Sequence, residues 1–353
     1  MEAKESLERD WSSLLPELLN LIVRNLTEIS DFVRFRAVCM AWRSSTTITD
    51  LLPQFPWILE CHNFLKDDLR FYSIHFGKTY SIHAAKSLGK WLIGLSINYI
   101  KIFDITRQVL SLLNLLKDHE IPIPAYDCDK YPYWKGPWQN QMGVQMLCYG
   151  PAGCRNPKLV FYHLDQNNWS ELIIGSDYVN CDITNCNLFY LDGMLFIVLR
   201  DTGVTKVMDV STNTPAYIIP PVEGYSTKGT EYIMAASGDI LRVFQYCDPS
   251  ADLRQYCFII HRLHINESGS VCWVEVDNIG NHALFIDMNG GFVLRACDFA
   301  GIKRNCIYNL TKMRMGIWEA ASCSVERIDI ETGAREQFPY PLKKPRGWFV
   351  PVL

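Results

Sequence analysis

Residues 34–43, RFRAVCMAWR, bring three arginines, a tryptophan and a cysteine together. Those types allow three chemistries. The cations could grip phosphates, Cys39 could be a nucleophile in a cationic field, or the apolar members could form a face for a partner. Arg34, Arg36 and Arg43 scatter around a helical wheel, and the chain is acidic overall, with 34 Lys+Arg against 38 Asp+Glu. Direct nucleic-acid binding is therefore not expected. A reactive thiol needs partial exposure and an activating partner. Cys39 instead shares a stripe with Phe35, Val38 and Trp42 at i, i+3, i+4 and i+7, with no histidine nearby in sequence. The partner face remains.

Other candidates for chemistry are sparse. His261 and His264 in HRLH lie three apart, which in a strand puts them on opposite faces, a poor ligand pair. No G-x-S-x-G, H-E-x-x-H, glycine-rich phosphate loop or EF-hand string occurs. Asp104, Asp165, Asp209 and Asp329 stand just before turns, where aspartate serves the local backbone. The 13 cysteines contain no C-x-x-C, and Cys148/Cys154 and Cys181/Cys186 lack partner pairs at zinc spacing. No catalytic residue, metal or cofactor is expected; a carboxylate site in a propeller channel stands as the enzyme alternative. The opening MEAKESLERDW is charged, and no apolar run reaches the ~18 residues of a membrane span. A cytoplasmic and/or nuclear chain without a membrane partner is expected.

The elements that must position these residues follow two grammars. Residues 12–50 read as helix: Ser12 and Ser13 offer caps, Pro16 suits a first turn, and Leu15, Leu19, Ile22 and Leu26 form one face. Ser30 or Asp31 is expected to cap the next helix, which carries the Phe35–Trp42 stripe with Val33 and Ala37 beside it. Ser44 to Thr47 cap or fray its end, and Pro53 and Pro56 mark a linker.

From about residue 70, short alternating or β-branched runs are separated by turns. An apolar strand, an acid or polar residue, a turn and a second strand recur around Asp104, Asp165, Asp209, His264 and Asp329, spaced 61, 44, 55 and 65 residues apart. Gly89-Lys90, Asp192-Gly193, Gly238-Asp239 and Asn289-Gly290-Gly291 read as hairpin turns, each feeding an inner strand. The expected fold is a small all-α unit of about three helices followed by an all-β domain, a five- or six-bladed β-propeller, with a sandwich or barrel as the alternative.

The stretch LLPELLNLIVRNLTEISDFVRFRAVCMAWRSS resembles the F-box. It supplies the Leu15-Pro16-Glu17-Leu18-Leu19 opening, Ile22 and Leu26, then Arg34, Arg36, Val38, Cys39, Trp42 and Arg43 of the R-x-R-x-V-C-x-x-W-R ending. Met40-Ala41 departs from the commoner residues there without touching the core pattern. The resemblance implies docking to a Skp-type adaptor and, through it, to a cullin. The residues carried over are Leu15, Pro16, Leu19, Ile22 and Leu26, with Val33, Val38, Cys39 and Trp42 as face or supporting core. Downstream, DNIGNHALFIDMNGGFVLRACDFAGIKRNCIYNL and the ending GWFVPVL resemble the KIB-type, kelch-like domain of plant F-box proteins, described as a β-propeller-like substrate receptor.

The expected organisation is a flexible terminus over 1–10, the F-box over 11–50, a linker over 51–63 and the KIB-type domain over 64–353. The function implied is substrate recruitment to a Skp–cullin–F-box ubiquitin ligase, with a non-ligase scaffold as the alternative. The substrate is unspecified. In the loop 129–141, Tyr131, Tyr133, Trp134 and Trp138 could form a contact surface or pack as an Ω-loop. KKPR at 343–346 reads as a nuclear signal or as solvated charge.

Overall fold

The computed structural model describes residues 10–351 except 48–49, 52, 61–64, 97–98, 108, 116, 125–139, 142–143, 150–157, 164–166, 174–185, 227, 248–254, 288–289, 314–321 and 341–344. A 3-10 turn, Trp11–Ser13, is capped by the Asp10 carboxylate and precedes α1 (Pro16–Val23), α2 (Ile29–Arg36) and α3 (Met40–Ser44). Pro16 opens α1 because its missing N–H costs nothing there, and Glu17 suits the positive helix end. Ser30 and Asp31 do not cap α2. The helix starts at Ile29 behind Glu28, and the Ser30 hydroxyl donates to the Glu28 carboxylate.

The expected continuous stripe from Phe35 to Trp42 is broken. Ala37 closes α2, and Cys39 is extended (φ −160°, ψ 171°) ahead of α3. Trp42 still returns to the core: its ring lies 4.5 Å from Phe35 and its indole N–H donates to the Trp11 carbonyl at 2.9 Å. The hydroxyls of Ser44 and Ser45 donate to the Ala41 carbonyl, and that of Thr46 to Trp42, satisfying end carbonyls as expected. Leu19, Val23, Phe32, Phe35 and Leu51 make this small core.

Six sheets follow. Blade 1 holds Trp57–Glu60, Asp68–Ser73 and Lys78–His83, with the C-terminal strand Pro345–Phe349 on its inner edge. Blade 2 is Lys90–Ser96, Tyr99–Asp104, Val109–Asn114 and His119–Ile123. Blade 3 is Asn140–Gln141, Val144–Tyr149, Lys158–His163 and Asn168–Ile173. Blade 4 is Cys186–Leu191, Met194–Leu199, Thr205–Asp209 and Thr214–Ile219. Blade 5 is Thr230–Ala236, Asp239–Cys247, Tyr256–Ile265 and Val271–Glu275. Blade 6 runs, in sheet order, Gly290–Arg295, His282–Asp287, Cys306–Met313, Ser322–Asp329 and Arg335–Phe338. Its second and third strands pair in parallel because the hairpin return occupies the inner edge first.

Each sheet packs on the next, so one buried cluster joins blades 1 and 2, another blades 5 and 6, and another blades 6 and 1. This is how twisted sheets cover their apolar faces. The ring is closed by chain ends: Trp57 pairs with Phe349 and Ile58 with Trp348. The Trp348 indole donates to the Ile286 carbonyl at 3.0 Å, and its backbone N–H to Asp287 at 2.8 Å.

Residues 51–63, expected as a linker, hold the strand Trp57–Glu60, whose Trp57, Ile58 and Leu59 are buried in the first blade. The turn Asp192-Gly193 sits at φ 46° and 83°, and Ser237-Gly238 at 48° and 94°, the left-handed geometry of tight hairpins. These two turns leave the inner strand rather than feed it, because the first strand of blades 4 and 5 precedes the turn. Gly89 and Gly290 do feed inner strands.

Candidate functional site

The three N-terminal helices divide their apolar residues between a core and an uncovered face. Around α1, Leu19 and Val23 turn inward, whereas Leu15, Leu18, Leu21 and Ile22 are exposed. Leu26 is half-buried against the core. On α2, Phe32 and Phe35 are buried and Val33 is exposed; Val38 and Met40 are exposed on the bend and on α3, Met40 at 77%. Pro16 is exposed, Cys39 half-buried, and Trp42 half-buried in the core cluster.

The nine residues carried over from the motif are therefore not one surface. Leu15, Pro16, Ile22, Val33 and Val38 are uncovered, Leu19, Leu26 and Trp42 support them from within, and Cys39 is half-buried between α2 and α3. Leu18, Leu21 and Met40 belong to the uncovered set and were missed. The signal was present in LLPELLNLIV, which is apolar around most of the helix. The arginines lie outside the core: Arg34 pairs with Asp31 at 2.9 Å, and Arg36 lies over the Phe32 ring at 5.5 Å.

This unit is tied to the propeller at one buried carboxylate. Glu28 accepts from Lys78 Nζ at 2.7 Å and from the Tyr80 hydroxyl at 3.0 Å, both on the outer strand of blade 1. Burial opposes ionisation of Glu28, but donation from Lys78, Ser30 and Tyr80 outweighs it and holds the carboxyl below its ordinary range. Beside it, the buried Gln54 side chain accepts the Ile29 N–H at 3.1 Å, and Tyr80 stacks on Trp57 at 4.7 Å. These contacts join the start of α2 to the outer strand of blade 1.

In the propeller, three of the described aspartates named above hold turns. Asp104 accepts the N–H groups of Thr106 and Arg107 at 3.0 Å. Asp209 accepts those of Ser211 and Thr212, and Asp329 that of Thr332. All three are turn caps, as read from their positions; Asp165 lies outside the described residues. His261 is buried and His264 exposed, on opposite faces as expected. Burial, aided by the Arg242 charge, pulls the pKa of His261 down to about 4.

Among the described residues of the inner strands, the one carboxylate is Glu231, ion-paired with Arg242 in the interior. Arg242 also lies over the rings of Tyr225 and Trp273, at 5.3 and 5.9 Å. Tyr131, Tyr133, Trp134 and Trp138 fall outside the described residues. Among the described residues, no helix is long and apolar enough to cross a membrane.

The KIB1-4 beta-propeller family model matches residues 67–330, well over half of the chain. The chain belongs to the KIB1-4 beta-propeller family. A probable F-box protein of Arabidopsis thaliana is 22% identical over 84% of this chain and 83% of its own length. A putative F-box protein of the same plant is 20% identical over 100% of this chain and 95% of its own. Among solved structures, a chain of a nidogen/laminin complex overlays with a TM-score of 0.40 at 9% identity, over 84% of this chain and 99% of that one. The KIB1-4 propeller accounts for the all-β part, and the names of the relatives agree with the F-box resemblance of residues 15–43.

Proposed function

We propose that this protein is the substrate-recruiting subunit of a Skp–cullin–F-box ubiquitin ligase. In this reading the helical face docks a Skp-type adaptor, and the KIB1-4 propeller holds the protein to be modified. The observation that carries it is the uncovered apolar set Leu15, Leu18, Leu21, Ile22, Val33, Val38 and Met40 on a unit whose own core is already filled. Apolar residues gathered on three short helices and rimmed by charge are the pattern of a partner interface. The Glu28 anchor supports the same reading, because a receptor must hold its cargo in a constant direction relative to its ligase. Ubiquitin chemistry would then reside in other subunits. The turn-capping aspartates and the Glu231–Arg242 pair are occupied in ways that offer no reacting group.

The test is reconstitution of the full chain with a Skp-type adaptor and a cullin. A ternary complex that the Leu15→Asp/Ile22→Asp variant fails to form supports the receptor. Adaptor binding without cullin in the complex moves the reading to a non-ligase scaffold. No adaptor binding by the folded chain overturns both.

A further inference from the structure

One cleft on the propeller carries charge against the sign of the whole chain. It has a volume of about 520 Å³ and lies on blade 6, between the segment before Cys306 and the hairpin of the last two strands. Its charged lining is Lys303, Arg304, Arg327 and Arg335 against Asp329 and Glu336, in a protein of net charge −4. The two carboxylates are already committed. Glu336 pairs with Arg327, and Asp329 accepts the Thr332 N–H and hydroxyl at 2.9 and 2.8 Å. Arg335 is held by Glu326 at 3.0 Å and by the Tyr256 carbonyl at 2.6 Å. Lys303 and Arg304 remain exposed, and neither side chain has an ion-pair partner among the described residues.

The loop that presents them is rigidly seated. The Lys303 backbone N–H donates to the Tyr308 hydroxyl at 2.9 Å. Ile302 is buried on one side of the pair. On the other, the Asn305 side chain accepts the Ile279 N–H at 3.0 Å and donates to the Asp277 carbonyl at 3.3 Å. Asn305 itself takes the left-handed conformation at φ 54°. With the loop backbone already ordered, meeting an anion costs the freedom of the two side chains and not of the loop. The cleft is of ligand size, and six of its eight lining residues are charged, which suits an oxyanion-bearing ligand better than a wholly apolar one.

We propose that this cleft grips an acidic segment of the recruited protein, with Lys303 and Arg304 as the cations that meet its side-chain oxyanions. The proposal rests on the receptor reading for its biological setting, but not for its test. Carboxylate and phosphorylated side chains share this chemistry, and the probes separate them.

The experiment is fluorescence anisotropy on the full chain with a labelled octaglutamate peptide, a matched phosphoserine peptide and octalysine. The expected result is binding of an anionic peptide, none of octalysine, and about tenfold weakening in Lys303→Ala/Arg304→Ala, the order expected for two partly screened ion pairs. Lys303→Arg/Arg304→Lys should retain binding, and Arg34→Ala/Arg43→Ala on the F-box should leave it unchanged. Binding of the phosphoserine peptide alone assigns phosphorylated segments; equal binding of both assigns carboxylates. Failure of both anionic peptides to bind, or equal weakening by the F-box pair, overturns the proposal. Adaptor binding measured on the same samples shows whether the receptor reading stands independently.

Discussion

Removing Lys78 should loosen the F-box from the propeller by a small, calculable amount, whereas removing Glu28 should do more. The Glu28 side chain is 7% exposed and Lys78 52%, at 2.7 Å. The lysine is half in water, so its ion pair is worth the value of an exposed pair, about 0.5–1 kcal/mol, rather than that of a buried one. Lys78→Met leaves Glu28 with Tyr80 and Ser30 as donors and should cost roughly that much. Glu28→Ala removes the acceptor of three side-chain donors and leaves the partly buried Tyr80 hydroxyl unsatisfied, a loss of about 1–3 kcal/mol. Because Lys78 has no carboxylate to meet once Glu28 is gone, the double variant should be no less stable than Glu28→Ala alone, a coupling of about 0.5–1 kcal/mol.

Acid should act the same way. The folded-state pKa of Glu28 lies below its ordinary 4.5, so its contribution is complete above that value and is lost as pH falls through the folded value. The assay is thermal unfolding of the four proteins in steps from pH 7.5 down to the acid limit of the fold, with limited proteolysis across 44–56 as the local readout. Strictly additive losses, with cleavage of this junction unchanged in Glu28→Ala, would refute the anchor.

Two further outcomes follow from buried charge. Arg242→Met should destabilise the fold by about 3–5 kcal/mol, because it strands the buried Glu231, and Arg242→Met/Glu231→Met should recover most of that loss in chemical denaturation. Lys101 is completely buried in blade 2, and burial lowers its pKa to about 7. Between pH 7 and its ordinary 10.5 the unfolded chain binds the extra proton, so stability should rise with pH across that range, and Lys101→Met should flatten the slope.

How much of this was legible depends on how local each cause is. The aspartate turn caps could be read because donor and acceptor lie within three residues, as in Asp209 with Ser211 and Thr212. The opposite faces of His261 and His264 follow from the strand period alone. Phase was harder. The Asp104 hairpin joins the second and third strands of blade 2, while the Asp209 hairpin joins the third and fourth of blade 4. Two-stranded units look alike from within, so the recurring pattern did not reveal this shift.

Blade 1 showed no repeat because its inner strand arrives from residues 345–349, and nothing near Trp57 announces it. In the F-box, the division of α1 between core and surface was beyond periodicity, since Leu15, Leu18, Leu19, Leu21, Ile22 and Val23 surround most of the helix. Glu28 gave no signal at all: its partners Lys78 and Tyr80 are 50 and 52 residues away.

In the proposed function the uncovered helical face is a docking surface for a Skp-type adaptor. The most direct measurement is calorimetric titration of a Skp-type adaptor into the full chain and into Leu15→Asp, Val33→Asp and Met40→Asp variants. These side chains are exposed, so the fold should survive, and circular dichroism checks this. Saturable one-to-one binding is expected, weakened at least tenfold by each aspartate, because a charge is forced into an apolar contact. Undiminished adaptor binding by all three folded variants would contradict it.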